Sequence, residues 1–81
     1  MFKHKTSGGK RNICGEKIKF LRKNLPSKTS QRMLAEMMQL KGIDIDKSAI
    51  RYMENGSRYI TDIEIKIFCS VFSVSADYLL E

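Results

Sequence analysis

One short segment, residues 46–54, places donor-rich side chains on one side of a helix and apolar side chains on the other. The donor-rich positions are Lys47, Ser48, Arg51 and Tyr52. At helical spacing, Ile50 and Met53 fall on the opposite side, where a protein core can cover them. Arginine and lysine donate to guanine O6 and N7, and serine accommodates more than one base. The segment therefore predicts an amphipathic helix that could offer its outer side to a DNA groove, and an ordinary solvent-exposed side is the alternative interpretation of the same residues.

The residue types that catalysis or metal binding requires are scarce in this sequence. His4 is the single histidine, so no histidine-based acid–base pair or nucleophile relay can be assembled. Cys14 and Cys69 fit neither a disulfide framework nor paired metal ligands. We therefore expect no enzyme, no metal, no cofactor and no small-molecule substrate. With no apolar signal region or membrane span, the two cysteines favour a reducing cytoplasm and no membrane partner.

The 81 residues have room for one domain, and the formal charge of +6 is concentrated before Ser30. Residues 1–12 are rich in lysine, arginine and glycine with almost nothing to bury, which predicts a flexible basic arm. The folded domain is then expected over residues 13–81. A basic balance favours an anionic partner such as nucleic acid. The arm could follow a DNA groove through Lys10 and Arg11, although simple disorder is the plainer interpretation.

Two helices are predicted before residue 41 from apolar residues three or four positions apart. The first helix is expected to end at Pro26, and the second to begin after Ser30, whose hydroxyl can accept from a free backbone amide. The two apolar stripes comprise Ile18, Leu21 and Leu25 in the first helix and Leu34, Ala35 and Met38 in the second. Both helices therefore have one side to bury.

The second half of the chain predicts three more helices. Asp46 can cap the third, and Ser75 can cap a last helix of one or two turns. Between them, isoleucines alternate over residues 60–67 as they would in a strand. Thr61 and Glu64 nevertheless have the spacing of a capping box, and apolar residues continue at helical spacing to Phe72. The prediction is therefore an all-α, compact five-helix bundle.

Several short motifs resemble the Cro and phage-repressor (XRE-like) helix-turn-helix family. The match runs from about Gly15 to Leu80. It comprises Gly15–Arg22 (GEKIKFLR), then Ser30, Gln31, Leu34 and Ala35, then Ile50, Met53, Glu54, Asn55 and Gly56, and finally Phe72, Val74, Ser75 and Leu79. The resemblance implies a five-helix DNA-binding domain that acts as a homodimer on operator DNA, with the third helix in the major groove.

Individual roles follow from the resemblance position by position. Gln31 and Asn55 are expected to bind phosphates, which sets register without identifying bases. Arg58 follows in a loop where a phosphate contact and plain solvent exposure both fit the sequence, and we include it among the phosphate candidates. Similarity also implies a structural ion pair between Arg22 and Glu54. The base contacts fall to the four donor-rich residues of the third helix, which are Lys47, Ser48, Arg51 and Tyr52.

The function expected from the sequence is a sequence-specific DNA-binding transcription regulator, with repression as the expected sign. Its partner is double-stranded DNA, and a symmetric dimer is expected because one short helix rarely binds tightly. The alternative is a protein-binding adaptor, such as the antitoxin of a toxin–antitoxin pair. In that case the helical domain or its basic arm would bind an acidic protein.

Overall fold

The computed structural model describes residues 9–81, which form an all-helical bundle. Its five helices are α1 (Gly15–Lys23), α2 (Gln31–Leu40), α3 (Lys47–Glu54), α4 (Asp62–Phe72) and α5 (Ala76–Leu80). The third packs chiefly against the second, and also against the first. The fourth lies against α1, α2 and α5. The predicted all-α five-helix fold is confirmed.

Side-chain caps begin four of the five helices. The capping residues are Ser30, Asp46, Thr61 and Ser75, and each accepts a hydrogen bond from the backbone N–H three residues later. At the start of α4 the Glu64 carboxylate also accepts from the Thr61 N–H at 2.8 Å, which completes a capping box. These bonds satisfy amides that a helix leaves without partners. The alternating isoleucines therefore begin in a loop and continue in a helix.

One continuous apolar core joins all five helices. Its residues with 1% exposure or less include Ile18, Leu34, Met38, Ile50, Met53, Ile60, Phe68 and Leu79. The helices α1 and α3 come closest at Gly15, where an added Cβ would lie 2.2 Å from the Met53 carbonyl oxygen. Only a residue without a side chain allows this approach. The position of α3 thus depends on the first residue of α1.

The first helix is shorter than the sequence predicts. It ends at Lys23 rather than continuing to Pro26, and the Asn24 side chain donates to the Phe20 carbonyl at 2.7 Å. Leu25 precedes a proline, whose ring disfavours the helical conformation of the residue before it. Although Leu25 lies beyond the helix, it is partly buried against the core. Its apolar character therefore contributes to packing without extending α1.

The N-terminal boundary also differs from the prediction of an arm over residues 1–12. Residues 1–8 lie outside the described residues. Asn12, by contrast, is only 2% exposed, and its side-chain amide donates to the carbonyls of Met53 and Arg58 at 3.1 and 2.8 Å. The Arg11 N–H donates to the Gly56 carbonyl at 2.7 Å. The folded domain therefore includes Arg11 and Asn12, because Asn12 satisfies one backbone carbonyl in the last turn of α3 and another in the loop that follows.

The connection between α2 and α3 is long but tied to the domain. Gly42 has a φ of 97°, a conformation that glycine adopts without strain. Ile45 is 4% exposed and anchors the connection in the core. Its carbonyl accepts from the Gln39 side chain at 2.7 Å, just before Asp46 caps α3. These contacts hold the start of α3 in place.

Candidate nucleic-acid interface

The predicted division of α3 into two sides is present in the structure. The outer side carries four exposed residues, which are Lys47, Ser48, Arg51 and Tyr52. The inner side has Ile50 and Met53, both with 0% exposure. Burial of the two apolar side chains fixes the rotation of the helix about its axis. The four predicted base-contacting residues are therefore held together on one open surface.

Two of these residues are already in contact with one another. The Arg51 guanidinium lies 4.8 Å from the centroid of the Tyr52 ring, and its Nη2 donates to the Tyr52 hydroxyl oxygen at 2.9 Å. Such a contact combines ring stacking with a hydrogen bond. It limits the orientations of a long side chain that is otherwise free in solvent. The guanidinium is thus partly ordered without a ligand.

An ion pair joins α1 to the last residue of α3. Arg22 Nε and Nη2 donate to the two Glu54 carboxylate oxygens at 2.6 and 2.9 Å. The side chains are 10% and 3% exposed, and the hydrogen bond that Arg22 donates to Glu54 raises the pKa of Arg22 above its ordinary value. Arg22 Nη1 also donates to the Thr29 carbonyl at 2.9 Å, so the same guanidinium holds the segment before α2. The pair therefore connects α1, α3 and the approach to α2.

Gln31 begins α2 and belongs to the same network. Its Nε2 donates to Glu54 Oε1 at 3.0 Å, and the residue is partly buried. A side-chain amide has two N–H groups, and this bond uses one of them. The remaining N–H belongs to a group of fixed position at the amino end of a helix, where anions are favoured. The geometry thus leaves Gln31 one donor for an external acceptor.

Asn55 follows α3 in a tight turn. Its Oδ1 accepts from the Ser57 N–H at 2.9 Å, and Gly56 next to it has a φ of 83°. The oxygen of the Asn55 amide is therefore engaged in the turn. The side chain is exposed, and its amide nitrogen makes no hydrogen bond within residues 9–81. This nitrogen can donate to a ligand without any rearrangement of the turn.

Arg58 has a structural partner that sequence spacing did not predict. Its two terminal nitrogens donate to the Glu64 carboxylate at 3.0 and 3.1 Å, and one also donates to the Tyr59 carbonyl at 3.1 Å. Because Glu64 forms the capping box of α4, Arg58 fastens the loop to the start of that helix. Arg58 therefore shares its charge with a carboxylate of the same chain. The structure thus separates Arg58 from the open positions on α3.

Sequence reasoning missed the contribution of Asn12. Its Oδ1 accepts from the Gly15 N–H at 2.8 Å while its amide nitrogen bonds the two carbonyls near the end of α3. One signal was available, because an asparagine three residues before Gly15 is placed to cap the start of a helix. The contacts with residues 53 and 58 span more than 40 positions and leave no periodic pattern. Local sequence could not predict them.

Other kinds of site have little support in the described part of the chain. Residues 9–81 contain no group of three histidine, cysteine or acidic side chains that could hold a metal ion. Within the same range, every helix falls short of the length and apolar character needed to cross a bilayer. Cys14 has 0% exposure, and burial raises the pKa of its thiol to about 11. Its position before α1 does not activate it.

Comparison with protein families places part of this chain in one of them. The model of a family described as helix-turn-helix matches residues 18–79, a range that runs from within α1 to within α5. No curated protein and no solved structure matches the chain. The matched range includes α2, α3 and the connection between them. Arg11 and Asn12 lie before it.

Proposed function

This chain belongs to the Cro and phage-repressor (XRE-like) helix-turn-helix family, and we propose that it represses transcription by occupying a specific operator. The observation that carries this proposal is the open, donor-rich side of α3 opposite two fully buried residues. A helix of this width fits the major groove, where every base pair presents a different pattern of donors and acceptors. In the proposal, α3 lies in that groove and blocks access to the DNA around it.

Base discrimination falls to the exposed side of α3. Arg51 carries the clearest assignment, because a guanidinium matches guanine O6 and N7 with two parallel hydrogen bonds. Its contact with Tyr52 reduces the freedom that binding must remove. Lys47 and Ser48 lie in the first turn, where recognition helices contact base edges. We propose that these four residues together determine the operator sequence.

Phosphate contacts are proposed for Gln31, the first residue of α2, and for Asn55, the residue that follows α3. Each has a free amide donor and a position fixed by a second hydrogen bond. Arg58 was included with them on sequence, but its pairing with Glu64 gives it a different role in this proposal. A phosphate would have to share or displace that carboxylate. We therefore assign Arg58 to holding the loop after α3.

A homodimer is part of the proposal because a single eight-residue helix offers few base contacts. Two copies on one face of the duplex would place their recognition helices about 34 to 36 Å apart, one turn of B-DNA. Resemblance to the family points to α4 and α5 for the contact between copies. The exposed Ile63 on α4 supports this choice, with 63% of its surface accessible. A two-fold symmetric operator is the expected consequence.

Titration of labelled duplexes, followed by fluorescence anisotropy, separates a regulator from a protein-binding adaptor. A regulator prefers one promoter fragment over mixed-sequence DNA, whereas an antitoxin acting only through protein contacts binds both alike. Arg51→Ala should reduce that preference by about 5- to 150-fold for each half-site, the equivalent of one good base contact per subunit. Gln31→Ala should weaken binding to the promoter fragment and to mixed-sequence DNA about equally, so that the preference between them is retained. If neither variant changes DNA affinity, the proposed placement of α3 is wrong.

A further inference from the structure

A surface cleft lies beside the carboxyl end of α3 and shares only Tyr52 with the positions assigned above to base contacts. It is formed by the segment before α1 and the loop between α3 and α4. Its lining residues are Arg11, Tyr52, Ser57, Arg58, Tyr59 and Thr61. Two guanidinium groups and four hydroxyl groups give the cleft many donors and no carboxylate of its own. This composition suits an anion.

The backbone of Arg11 is fixed relative to α3. Its N–H donates to the Gly56 carbonyl at 2.7 Å. The next residue, Asn12, is buried and bonds the Met53 and Arg58 carbonyls. The side chain of Arg11 therefore starts from a defined point rather than from a mobile arm. A contact made by Arg11 would keep a constant distance from the recognition helix.

The Arg11 side chain is the cation that the cleft can offer to a ligand. Its guanidinium lies 5.5 Å from the centroid of the Tyr59 ring, and the residue is exposed. Among residues 9–81 it has no carboxylate partner, in contrast to Arg58, which is bound to Glu64. Stacking on a tyrosine orients a guanidinium without neutralising its charge. Arg11 thus combines an ordered position with an unpaired charge.

The cleft is continuous with the proposed base-contacting surface. Tyr52 belongs to both, since it lines the cleft and contacts Arg51 on the outer side of α3. A duplex that receives α3 in its major groove has a phosphate strand along each edge of that groove. Gln31 and Asn55 supply proposed contacts near α2 and the end of α3. The cleft extends the same surface past the end of α3.

We propose that Arg11, oriented by Tyr59, binds a DNA phosphate at this edge of the groove. The proposal rests on the proposed function, because it takes duplex DNA as the ligand of α3. Arg11 lies outside the matched range 18–79, so the contact comes from the segment that precedes the helix-turn-helix core. Tyr59 acts as a positioning residue. The contact adds affinity and salt dependence for any sequence and leaves base preference unchanged.

The test compares Arg11→Ala with Lys19→Ala, which removes one positive charge from an exposed position on α1 that has no assigned DNA contact. Binding to a mixed-sequence duplex is titrated by anisotropy between about 50 and 200 mM salt. One lost phosphate contact lowers the slope of log K against log salt by about 0.9, so the wild type should lose about 3.5-fold more affinity than Arg11→Ala for each bound copy over this range. Lys19→Ala should retain the wild-type slope. Equal slopes for the two variants would overturn the proposal.

The salt slopes of Tyr59 variants provide a second measurement, whose expected pattern differs from the effect of unfolding. Tyr59→Ala should reduce the salt slope in the same direction as Arg11→Ala, and the double variant should show little further loss, because both changes remove one contact. Arg11→Lys should retain most of the slope, since a lysine still neutralises a phosphate. Thermal unfolding followed by circular dichroism verifies that each variant is folded at the titration temperature. Additive losses would show that Tyr59 does not position Arg11.

The outcome also separates this proposal from the proposed function. If the wild-type protein binds all duplexes equally, operator specificity is refuted, while the slopes still decide whether Arg11 binds a phosphate. If the protein prefers one duplex and Arg11→Ala matches Lys19→Ala, only the Arg11 contact is refuted. Failure of the wild type to bind any duplex refutes both. If the cleft instead binds an acidic protein, Arg11→Ala should match Lys19→Ala in the DNA titrations.

Discussion

Replacing Gly15 with alanine sets two effects of opposite sign against each other. Gly15 is the first residue of α1, and alanine is favoured over glycine within helices by about 1 kcal/mol. Helix propensity alone therefore predicts a more stable protein. The added Cβ, however, would lie 2.2 Å from the Met53 carbonyl oxygen and 2.8 Å from that of Glu54. Both atoms belong to backbone that cannot rotate away.

The size of the required movement decides between the two effects. Ordinary contact with a Cβ begins near 3.4 Å, so α1 and the end of α3 must separate by about 1.2 Å. Overpacking costs about 1 to 3 kcal/mol, and because two backbone segments must move apart here, a cost of about 2 to 3 kcal/mol exceeds the gain of about 1 kcal/mol in helix propensity. We expect Gly15→Ala to lower the free energy of unfolding by about 1 to 2 kcal/mol. For a domain of this size the melting temperature falls by about 4 to 16 °C.

Thermal and urea unfolding followed by circular dichroism measure this change. Ser70→Ala on α4 is the matched control, because Ser70 is exposed and its substitution changes helix propensity without a buried contact. Ser70→Ala should be neutral or slightly stabilising. A Gly15→Ala protein as stable as the wild type, or more stable, would refute the close approach of α1 and α3.

Three further predictions concern buried polar groups. Asn12→Asp removes both side-chain N–H donors and should lower the unfolding free energy by about 2 kcal/mol or more in urea titrations; an unchanged midpoint would contradict the anchoring. Arg22→Met should cost about 3 kcal/mol, and pairing it with Glu54→Leu should recover most of the loss, whereas two additive losses would argue against a buried pair. The folded pKa of Cys14, about 11, lies above its ordinary value of 9.0, so its contribution to stability is full below pH 9 and is lost as the pH rises towards 11. Wild-type protein should lose more stability than Cys14→Ala over that interval, and a thiol reagent should modify Cys69 first.

The helices were predictable because their signals are local. A cap such as Ser30 or Asp46 acts on the amide three residues later, and an apolar stripe such as that of α2 repeats within two turns. The Thr61–Glu64 capping box settled the one ambiguous segment in the same way. These features depend on neighbouring residues alone. Sequence reasoning therefore found the number, type and approximate ends of the helices.

Contacts between distant residues were less accessible. The Arg22–Glu54 pair was expected only because of the family resemblance, and nothing in the spacing of 32 residues indicates it. The anchoring of Asn12 lay within a stretch whose composition predicts a flexible arm. The pairing of Arg58 with Glu64 crosses a loop, where no periodicity applies. In each case the partner is determined by how helices assemble rather than by local sequence.

The candidate site shows the same division. The donor-rich side of α3 follows from helical spacing, because burial of Ile50 and Met53 leaves Lys47 and Arg51 outside. The order that Tyr52 imposes on Arg51 is also local, since the two are adjacent. The stacking of Arg11 on Tyr59 joins residues 48 positions apart and depends on the anchoring of the N-terminal segment. Only the folded structure brings that contact next to α3.

Selection from randomised duplexes tests most directly whether the outer side of α3 contacts bases. We predict that the wild-type protein and Lys19→Ala recover the same two-fold symmetric motif. Arg51→Ala should recover that motif with one symmetric pair of positions degraded and the remaining positions retained. Recovery of no motif by the wild type, or of an unaltered motif by Arg51→Ala, would contradict the account.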